Sequence, residues 1–566
     1  MATIQERQKV KTGIGPPSRR RRLTPRQKNL IVFGIIAVFF ALPLRGLLRS
    51  QGPPMEEGFM LVFPERVLHG DLPNRDFLHL YGPGSLWLLA GWFKVLGVSL
   101  WSERLFALLQ QIGVVLGVYG LARHWGRAVA LFCALISLLI IVPPIGLTAL
   151  AWVGGVALAL LGLLCLVESR RAVEPGRAGR LALLGGFLSG WALLFRPDLV
   201  VAVALGAIVV AWGMSRPFVW RALTGFGIGV AAYLVHLATA GPVTVFKGMV
   251  LDPLIYLRGG RRLPVPPPFN HLDGFLQRAG ALQQLHWPIP SLKASQQLTL
   301  WFFGLLAAVV VLVGVGWWSV RRDPSRFQSR VLLAVALFSL GMVPQAVQRV
   351  DSAHFGWVGC VPVAFLPVAL VEVLRVARPA WRPRTRGALA GASTLLLLIL
   401  VIPFYTARTY SDYTGQSFGN HRLAWKIERK GRVFYYGRPD VADAAKQLLA
   451  KVDEVGKPGQ RVLVGTTDLR KTPYSDAYLY YLLPEYNPGT YYIEMDPGVA
   501  NRKGSKLAHD VATSDIVILS SVWNDWSEPN DSRKVGSDVP NQVLHRDFVE
   551  VGSYGKGLYQ LWVKKR

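Results

Sequence analysis

Long apolar runs, separated by short arginine-rich turns, constrain the fold of this chain more than any other feature. A helix of about 20 apolar residues crosses a bilayer, and 51% of the 566 residues are hydrophobic while only 17% are charged. The eleven runs fall at 30–48, 104–121, 128–143, 146–167, 181–195, 199–213, 219–238, 299–320, 331–346, 355–374 and 387–405. The sequence therefore predicts an α-helical polytopic membrane protein with about eleven transmembrane helices.

The strongly basic composition is explained by membrane orientation. A net charge of +29 would suggest a nucleic-acid partner for a soluble protein, but the arginines here recur between apolar runs, where they orient membrane helices. We therefore predict no nucleic-acid partner. The sequence contains no zinc-ligand spacing, Walker-type phosphate loop or D-x-D pair. Its three cysteines all lie in apolar runs and give no disulfide framework.

The segment 83–98 decides the predicted topology. It is apolar but only 16 residues long, and it contains Lys94. If it does not cross the membrane, every basic turn lies on the same side as the N-terminal arginines; if it crosses, those arginines lie opposite all the others. The positive-inside rule favours the first arrangement. We predict that 83–98 is an interfacial or re-entrant helix and that 1–29 is a basic cytoplasmic tail of a plasma-membrane protein.

This topology gathers most of the polar residues at helix ends on the outer face. The predicted outer segments contribute Glu56, Glu57, Arg75, Asp76, His79 and Tyr81 from loop 50–103, then Arg196 and Asp198, then Arg258, Arg261, Arg262 and His271 from the proline-rich loop 241–297, and finally Arg349, Asp351 and His354. Structural alternatives stay open for all of them. The loops could be solvated or cap the helices, the Arg-x-Asp pairs could anchor helix ends, and the other arginines could reach for the membrane interface.

Residues 406–566 form a second region with more charge and short apolar strands. The predicted strands include 462–464, 491–493, 516–519 and 558–562, and the predicted helices lie at about 439–452, 474–483 and 499–512. This alternation predicts an extracytoplasmic α/β domain with a largely parallel sheet. The region is rich in aromatic residues, which suit stacking on sugar rings, although most such residues pack in cores.

Carboxylates and arginines on the outer face suit one reaction in particular. A carboxylate can accept the proton of an acceptor hydroxyl as its oxygen attacks a sugar carbon. Arginine can neutralise a lipid-linked phosphate as it leaves. Nucleotide sugars are cytosolic, and the lack of a D-x-D pair agrees with a donor of another kind. The pattern therefore indicates sugar transfer from a lipid phosphate.

The first outer loop also resembles a known family. The acidic pair Glu56-Glu57 follows the first apolar run, and Gly-Asp-Leu-Pro-Asn-Arg-Asp-Phe at 70–77 and Tyr-Gly-Pro-Gly at 81–84 come after it. These motifs resemble the GT-C superfamily of polyprenyl-phosphate-sugar glycosyltransferases, which includes protein mannosyltransferases, lipid A aminoarabinose transferases and arabinofuranosyltransferases. The resemblance covers about 55–84 in motifs and 30–405 in architecture. It implies a catalytic first outer loop, a lipid-linked sugar donor and a glycan, lipid or protein acceptor.

The resemblance also implies roles for the acids of this loop. The family's base-supplying acidic pair matches Glu56-Glu57, and we predict Glu57 as the general base with Glu56 as the alternative. The first of the two departs from the commoner Asp-Glu or single-Asp pattern. Asp76 matches the second acid and is expected to hold the acceptor, to help bind a divalent metal ion or to cap a turn. No other cofactor is predicted.

The remaining roles are predicted from topology and chemistry alone. The predicted ligands of the donor phosphate are Arg196, Arg349, Arg258, Arg261 and Arg262. Further site candidates are Arg75, His79, Tyr81, Asp198, Asp351, His354 and His271. The main alternative function is a transporter or flippase of a lipid-linked or charged substrate, but the sequence shows neither the internal repeat nor the midplane polar residues typical of transporters. A non-catalytic scaffold would leave the clustered polar residues unexplained.

Overall fold

The computed structural model describes residues 24–144, 146–278, 288–526 and 528–566. A helical part comes first in the chain, and a domain built on a β-sheet follows it. Most of the predicted basic tail, residues 1–23, lies outside the described ranges. The predicted class, a helical polytopic membrane protein with a C-terminal α/β domain, is confirmed.

The first helices carry most of the apolar runs. They are α1 (Pro25–Leu47), α2 (Pro54–Leu68), α3 (Gly84–Leu96), α4 (Leu100–Ala122), α5 (Arg127–Ile141), α6 (Ala151–Arg171), α7 (Pro175–Phe195), α8 (Val200–Ala211), α9 (Arg216–Val230) and α10 (Ala232–Ala240). The predicted loop 241–297 is partly helical. It contains α11 (Pro242–Phe246), a π-helical segment (Lys247–Leu257), α12 (Arg258–Arg261) and α13 (Phe275–Arg278).

The helical part ends with another group of long apolar helices. These are α14 (Ala294–Arg322), α15 (Phe327–Gln348), α16 (Ser352–Gly359), α17 (Pro362–Ala377), α18 (Pro383–Val401) and the polar α19 (Ala407–Ser417). Among the described residues, eight helices are long and apolar enough to cross a membrane, or nine when α16 and α17, bent by 42°, count as one span. The other two predicted runs are the shorter apolar helices Arg127–Ile141 and Pro197–Ala211. All eleven predicted runs are therefore helical, although not all have full membrane length.

The short helix α3 covers most of the segment that decides the topology. Its 13 residues span about 20 Å, whereas the hydrocarbon core of a bilayer is about 30 Å thick. The helix is thus too short to cross upright. Its apolar side chains Leu88, Val95 and Leu96 are exposed, which agrees with an interfacial or re-entrant position. The side of the membrane on which each terminus lies stays a prediction.

The C-terminal domain has a mixed sheet. A hairpin of β1 (Trp425–Arg429) and β2 (Arg432–Tyr436) precedes a five-stranded sheet in the order β4 (Asn487–Pro488), β3 (Arg461–Thr466), β5 (Ile516–Ser520), β7 (Tyr559–Lys564) and β6 (Phe548–Tyr554). Strand β3 pairs in parallel with β4 and β5, while β7 is antiparallel to β5 and β6. The helices α20 (Pro439–Val455), α21 (Tyr478–Leu482), α22 (Leu507–Ala512) and α23 (Val539–Asp547) complete the domain.

Two sequence-based expectations for this sheet were wrong. The sheet is not largely parallel, because a tight turn with positive φ at Gly555, Lys556 and Gly557 joins β6 to β7, and strands joined by a tight turn must be antiparallel. The predicted strand at 491–493 is irregular. The backbone of Tyr491 there accepts a hydrogen bond from the Leu78 N–H and donates one to the Asp510 carboxylate, so it makes no ladder bonds.

The segment 50–103 and the C-terminal domain are packed against each other. Helix α2 lies so close to α21 that a Cβ at Gly58 would be 2.3 Å from the backbone nitrogen of Tyr478. An ion pair joins Glu65 of α2 to Arg432 of β2 at 2.8 Å, and one continuous hydrophobic core extends through both parts. Helix α2 is therefore packed against the C-terminal domain.

Candidate active site

The two adjacent glutamates in the first turn of α2 point in different directions, because successive residues of a helix are about 100° apart. Glu57 is fully buried and accepts hydrogen bonds from Nε and Nη2 of Arg104 at 2.7 and 2.8 Å. The Arg104 Nη1 donates to the Leu47 carbonyl at 2.9 Å. A Cβ at Gly52 would lie 2.3 Å from the Glu57 carboxylate, so the glycine makes room for it. Both carboxylate oxygens of Glu57 are thus engaged in a buried bidentate ion pair.

Glu56 faces the C-terminal domain instead and is half-buried. The Tyr474 hydroxyl donates a hydrogen bond to its carboxylate, and the Met55 N–H donates to the same phenol oxygen at 3.2 Å. Burial raises the pKa of Glu56, and the positive charges of Arg261 and Arg349 only partly offset this. A carboxylate whose pKa is raised toward neutrality is a stronger proton acceptor. Glu56 is therefore a candidate for the predicted general base.

Two arginines close to Glu56 are already paired with carboxylates. The Arg349 guanidinium donates to Glu528 at 2.9 and 2.6 Å and to Asp351 at 2.9 Å. Arg261 donates to Asp496 and to the Pro473 carbonyl, both at 3.0 Å. Their charge stabilises an anion nearby, but most of their donor groups are engaged. These two predicted phosphate ligands lie at the site.

The predicted residues Tyr81 and Arg196 lie together against the same site. Arg196 is 4.4 Å from the Tyr81 ring and 4.9 Å from the Trp152 ring, within the range of cation–π attraction. It also donates to Asp198 at 2.9 and 2.6 Å. Burial raises the pKa of the Tyr81 phenol, and the negative charge of Glu56 adds to that rise. The Tyr81 phenol is thus affected by the charges of both Arg196 and Glu56.

Three residues of the C-terminal domain complete the site, and the sequence did not predict any of them. They are Tyr474, Glu494 and Asp496. Glu494 is buried; burial, with the nearby charges of Asp496 and Glu56, raises its pKa well above its ordinary value. Met495 between the two acids has a φ of 52°, a strained conformation typical of functional segments. The acid-x-acid spacing before Pro497 was the available signal, but nothing in the sequence placed it beside α2.

Other predicted residues lie elsewhere. Asp76 accepts a hydrogen bond from the Leu72 N–H at 2.8 Å and pairs with the exposed Arg75 at 2.8 Å, so it stabilises a turn. Its carbonyl accepts from Arg66, at the far end of α2, about 15 Å along the helix from Glu56. Asp76 thus caps a turn in the structure, while its expected roles toward the acceptor or a metal ion stay predictions.

The predicted histidines pack against or pair with other groups. His79 is fully buried between Phe63 and Tyr81, and burial lowers its pKa to about 3, so it is a neutral packing residue at physiological pH. His354 contacts one oxygen of the Asp351 carboxylate at 2.8 Å, and the Arg349 guanidinium donates to the other oxygen. His271 is exposed and pairs with Asp273 at 3.0 Å.

The exposed arginines of loop 241–297 differ from the two buried ones. Arg258 and Arg262 flank Arg261 at the helix α12, and both side chains are exposed. Among the described residues neither forms an ion pair, so their charges are available to a ligand. The described residues also contain no group of three or more His, Cys, Asp or Glu side chains arranged for a metal ion.

Comparison with known proteins supports the fold. No protein-family model and no curated protein matches the sequence. The structure is similar to that of ArnT from Cupriavidus metallidurans bound to undecaprenyl phosphate, with a TM-score of 0.52, 12% sequence identity and coverage of 95% of this chain and 98% of that one. ArnT is a GT-C glycosyltransferase. The chain has the GT-C fold.

Two further solved structures are similar at lower scores. ArnT in the apo state gives a TM-score of 0.46 at 13% identity, over 94% of this chain and 98% of that one. The Archaeoglobus fulgidus oligosaccharyltransferase in complex with Zn and sulfate gives 0.43 at 14% identity, over 87% of this chain and 70% of that one. The GT-C resemblance predicted from the first-loop motifs is confirmed for the fold by the similarity to ArnT bound to undecaprenyl phosphate.

Proposed function

We propose that the protein is a membrane glycosyltransferase that moves a sugar from a polyprenyl-phosphate donor to a hydroxyl acceptor on the extracytoplasmic face. The Glu56 carboxylate accepts the proton of the acceptor hydroxyl as the oxygen attacks the anomeric carbon. The bond between that carbon and the phosphate oxygen breaks, and polyprenyl phosphate leaves. Such a base contributes about 10²–10⁴-fold to the rate. The observation that carries the proposal is the position of the half-buried Glu56 carboxylate, which in a GT-C fold accepts a hydrogen bond from Tyr474 of the C-terminal domain.

We assign the base to Glu56 and not to Glu57. An acceptor hydroxyl at Glu57 would have to displace the fully buried Arg104, which engages both carboxylate oxygens. Breaking such a pair leaves an uncompensated buried charge. Glu56 requires no such displacement, because the side chain that donates a hydrogen bond to it is the neutral Tyr474 hydroxyl.

Arg258 and Arg262 are the proposed ligands of the donor phosphate. Their exposed guanidinium groups are not paired with carboxylates in the described ranges, and Arg261 between them contributes to the electrostatics of Glu56. Arginine suits a phosphate because its planar donor groups bind two oxygens at once. The buried Arg349 and Arg196 are proposed to stabilise the site by their charge.

The donor class is proposed from the fold together with this chemistry. The solved ArnT with the same fold is bound to undecaprenyl phosphate, which supports a polyprenyl-phosphate carrier here. A hexose or pentose donor and a glycan, lipid or protein acceptor all agree with the site. The location proposed is the plasma membrane, with the N-terminus cytoplasmic and the domain 406–566 extracytoplasmic.

A product assay separates this function from a transporter or flippase. The purified protein, in vesicles that contain a synthetic undecaprenyl-phosphate sugar, should release undecaprenyl phosphate and form one new glycosidic or hemiacetal bond for each donor consumed. A flippase would move the intact donor between leaflets without breaking the bond. Donor that is translocated but recovered intact would overturn the proposal.

A further inference from the structure

The C-terminal domain contains a crevice whose lining residues have no role in the transfer step proposed above. It has a volume of about 450 Å³ and opens where the parallel strands β3 and β5 end. Its lining residues come from the segments that follow those strands: Asp468, Lys471 and Pro473 after β3, and Asn524, Trp526, Ser532 and Arg533 after β5.

The strand order explains why a crevice forms there. From β3 the chain passes to β4 on one side of it and then returns to β5 on the other side. The segments leaving β3 and β5 therefore diverge, and a gap opens outside their carboxyl ends. In open α/β sheets such a switch point is where ligands bind. Sheet topology thus indicates a binding site independently of the volume.

The lining has the chemistry of a carbohydrate site with an anionic group. Trp526 lines the crevice and is half-buried, while the Asn524 amide can bond to hydroxyl groups. Lys471 and Arg533 are exposed, and among the described residues no carboxylate forms an ion pair with either. The one acid of the lining, Asp468, is already held by Arg470 at 3.0 Å. The net charge of the crevice is therefore positive.

The crevice is also connected to the first turn of α2 by stacked aromatic rings. The Trp526 ring lies 4.8 Å from the Tyr474 ring at an angle of 21°. The Tyr474 hydroxyl in turn donates to Glu56. A ligand against Trp526 would thus be separated from the proposed base by two aromatic rings, those of Trp526 and Tyr474.

We infer that this crevice binds a sugar that carries a phosphate group, with the ring against Trp526 and the phosphate at Lys471 and Arg533. The bound sugar phosphate belongs to the acceptor of the transfer reaction. That acceptor role rests on the proposed function, whereas the binding itself does not.

Binding to the full-length protein in nanodiscs tests this site. The probes are glucose 6-phosphate, methyl glucoside and inorganic phosphate, with affinity measured by calorimetry. Glucose 6-phosphate should bind at least tenfold more tightly than either of the other two, because only it has both a ring and a phosphate. The double variant Lys471→Ala/Arg533→Ala should weaken that binding at least tenfold. The exposed pair Lys446→Ala/Arg546→Ala is the matched control and should leave it unchanged.

Three further variants keep the outcome independent of folding and catalysis. Trp526→Phe should retain most of the binding and Trp526→Ala should lose it, with the unfolding transition recorded for both. Glu56→Gln should bind glucose 6-phosphate as the unsubstituted protein does, so a failed transferase proposal would leave this result intact. No binding of glucose 6-phosphate, or equal binding to the Lys471→Ala/Arg533→Ala variant, would overturn the inference.

Discussion

The buried ion pair between Glu57 and Arg104 offers a direct way to separate structural from catalytic glutamates. The side chains of both residues are 1% exposed, so neither charge can be solvated when its partner is removed. Nearby Glu103 is also buried, and its carboxylate accepts from the Ala149 N–H at 2.6 Å. The group thus contains two carboxylates and one guanidinium.

These three buried charges predict which of two substitutions, at Glu57 or at Arg104, destabilises the protein more. Removing one partner of a buried pair costs about 3–5 kcal/mol. Glu57→Gln should lie near the lower end of that range, because Glu103 still balances the Arg104 charge. Arg104→Met should lie near the upper end, because it leaves two buried carboxylates without a counter-charge. Both variants should unfold more easily than the unsubstituted protein, and Arg104→Met should be the less stable.

Unfolding by titration of SDS into mixed micelles measures these free energies, and donor hydrolysis normalised to folded protein measures activity. We expect Glu57→Gln to lose stability but to keep its rate per folded molecule within about a factor of three, roughly 0.6 kcal/mol in activation free energy. If Glu57→Gln kept full stability and lost its activity, Glu57 would be the base and the structural assignment of the pair would be wrong.

Three other perturbations test the site and its support. A general base must be ionised, and burial raises the pKa of Glu56, so the transfer rate should fall as the pH drops through an apparent pKa above about 4.3. Tyr474→Phe removes a hydrogen bond that lowers this pKa. In a pH–rate profile, this variant should therefore lose activity at a higher pH than the unsubstituted protein. Arg258→Ala/Arg262→Ala should raise the donor KM about tenfold with a smaller change in kcat, as steady-state kinetics would record, since each phosphate contact contributes about 1 kcal/mol or more. Gly58→Val should loosen the C-terminal domain, seen as faster limited proteolysis, because even a Cβ there would be 2.3 Å from a backbone nitrogen.

The fold could largely be predicted from the sequence, because apolar length and arginine-rich turns determine where helices lie. The eleven apolar runs are all helical, and the strands at 462–464, 516–519 and 558–562 were located correctly. Strand direction was not predictable from the same pattern. The turn at Gly555–Gly557 makes β6 and β7 antiparallel, and the alternation of strands and helices carries no information about such a turn.

The site was predictable only for the residues that are close in sequence. The acidic pair could be found from its motif, but the different surroundings of Glu56 and Glu57 depend on partners 418 and 47 positions away. Tyr474 reaches Glu56 only because α2 packs under the C-terminal domain. Local spacing does not encode such contacts. The hydrogen bonds of Asp76 within its turn are local, whereas its separation from Glu56 is set by the length of helix α2.

The central claim, that Glu56 is the general base of a sugar transfer from a lipid phosphate, is tested most directly by one comparison. Purified protein with undecaprenyl-phosphate sugar would be assayed for donor turnover in the unsubstituted form, in Glu56→Gln and in Glu454→Gln, an exposed control on α20. The account predicts that Glu56→Gln lowers kcat by about a hundredfold or more at unchanged stability, while Glu454→Gln has no effect. Full turnover by folded Glu56→Gln would contradict it.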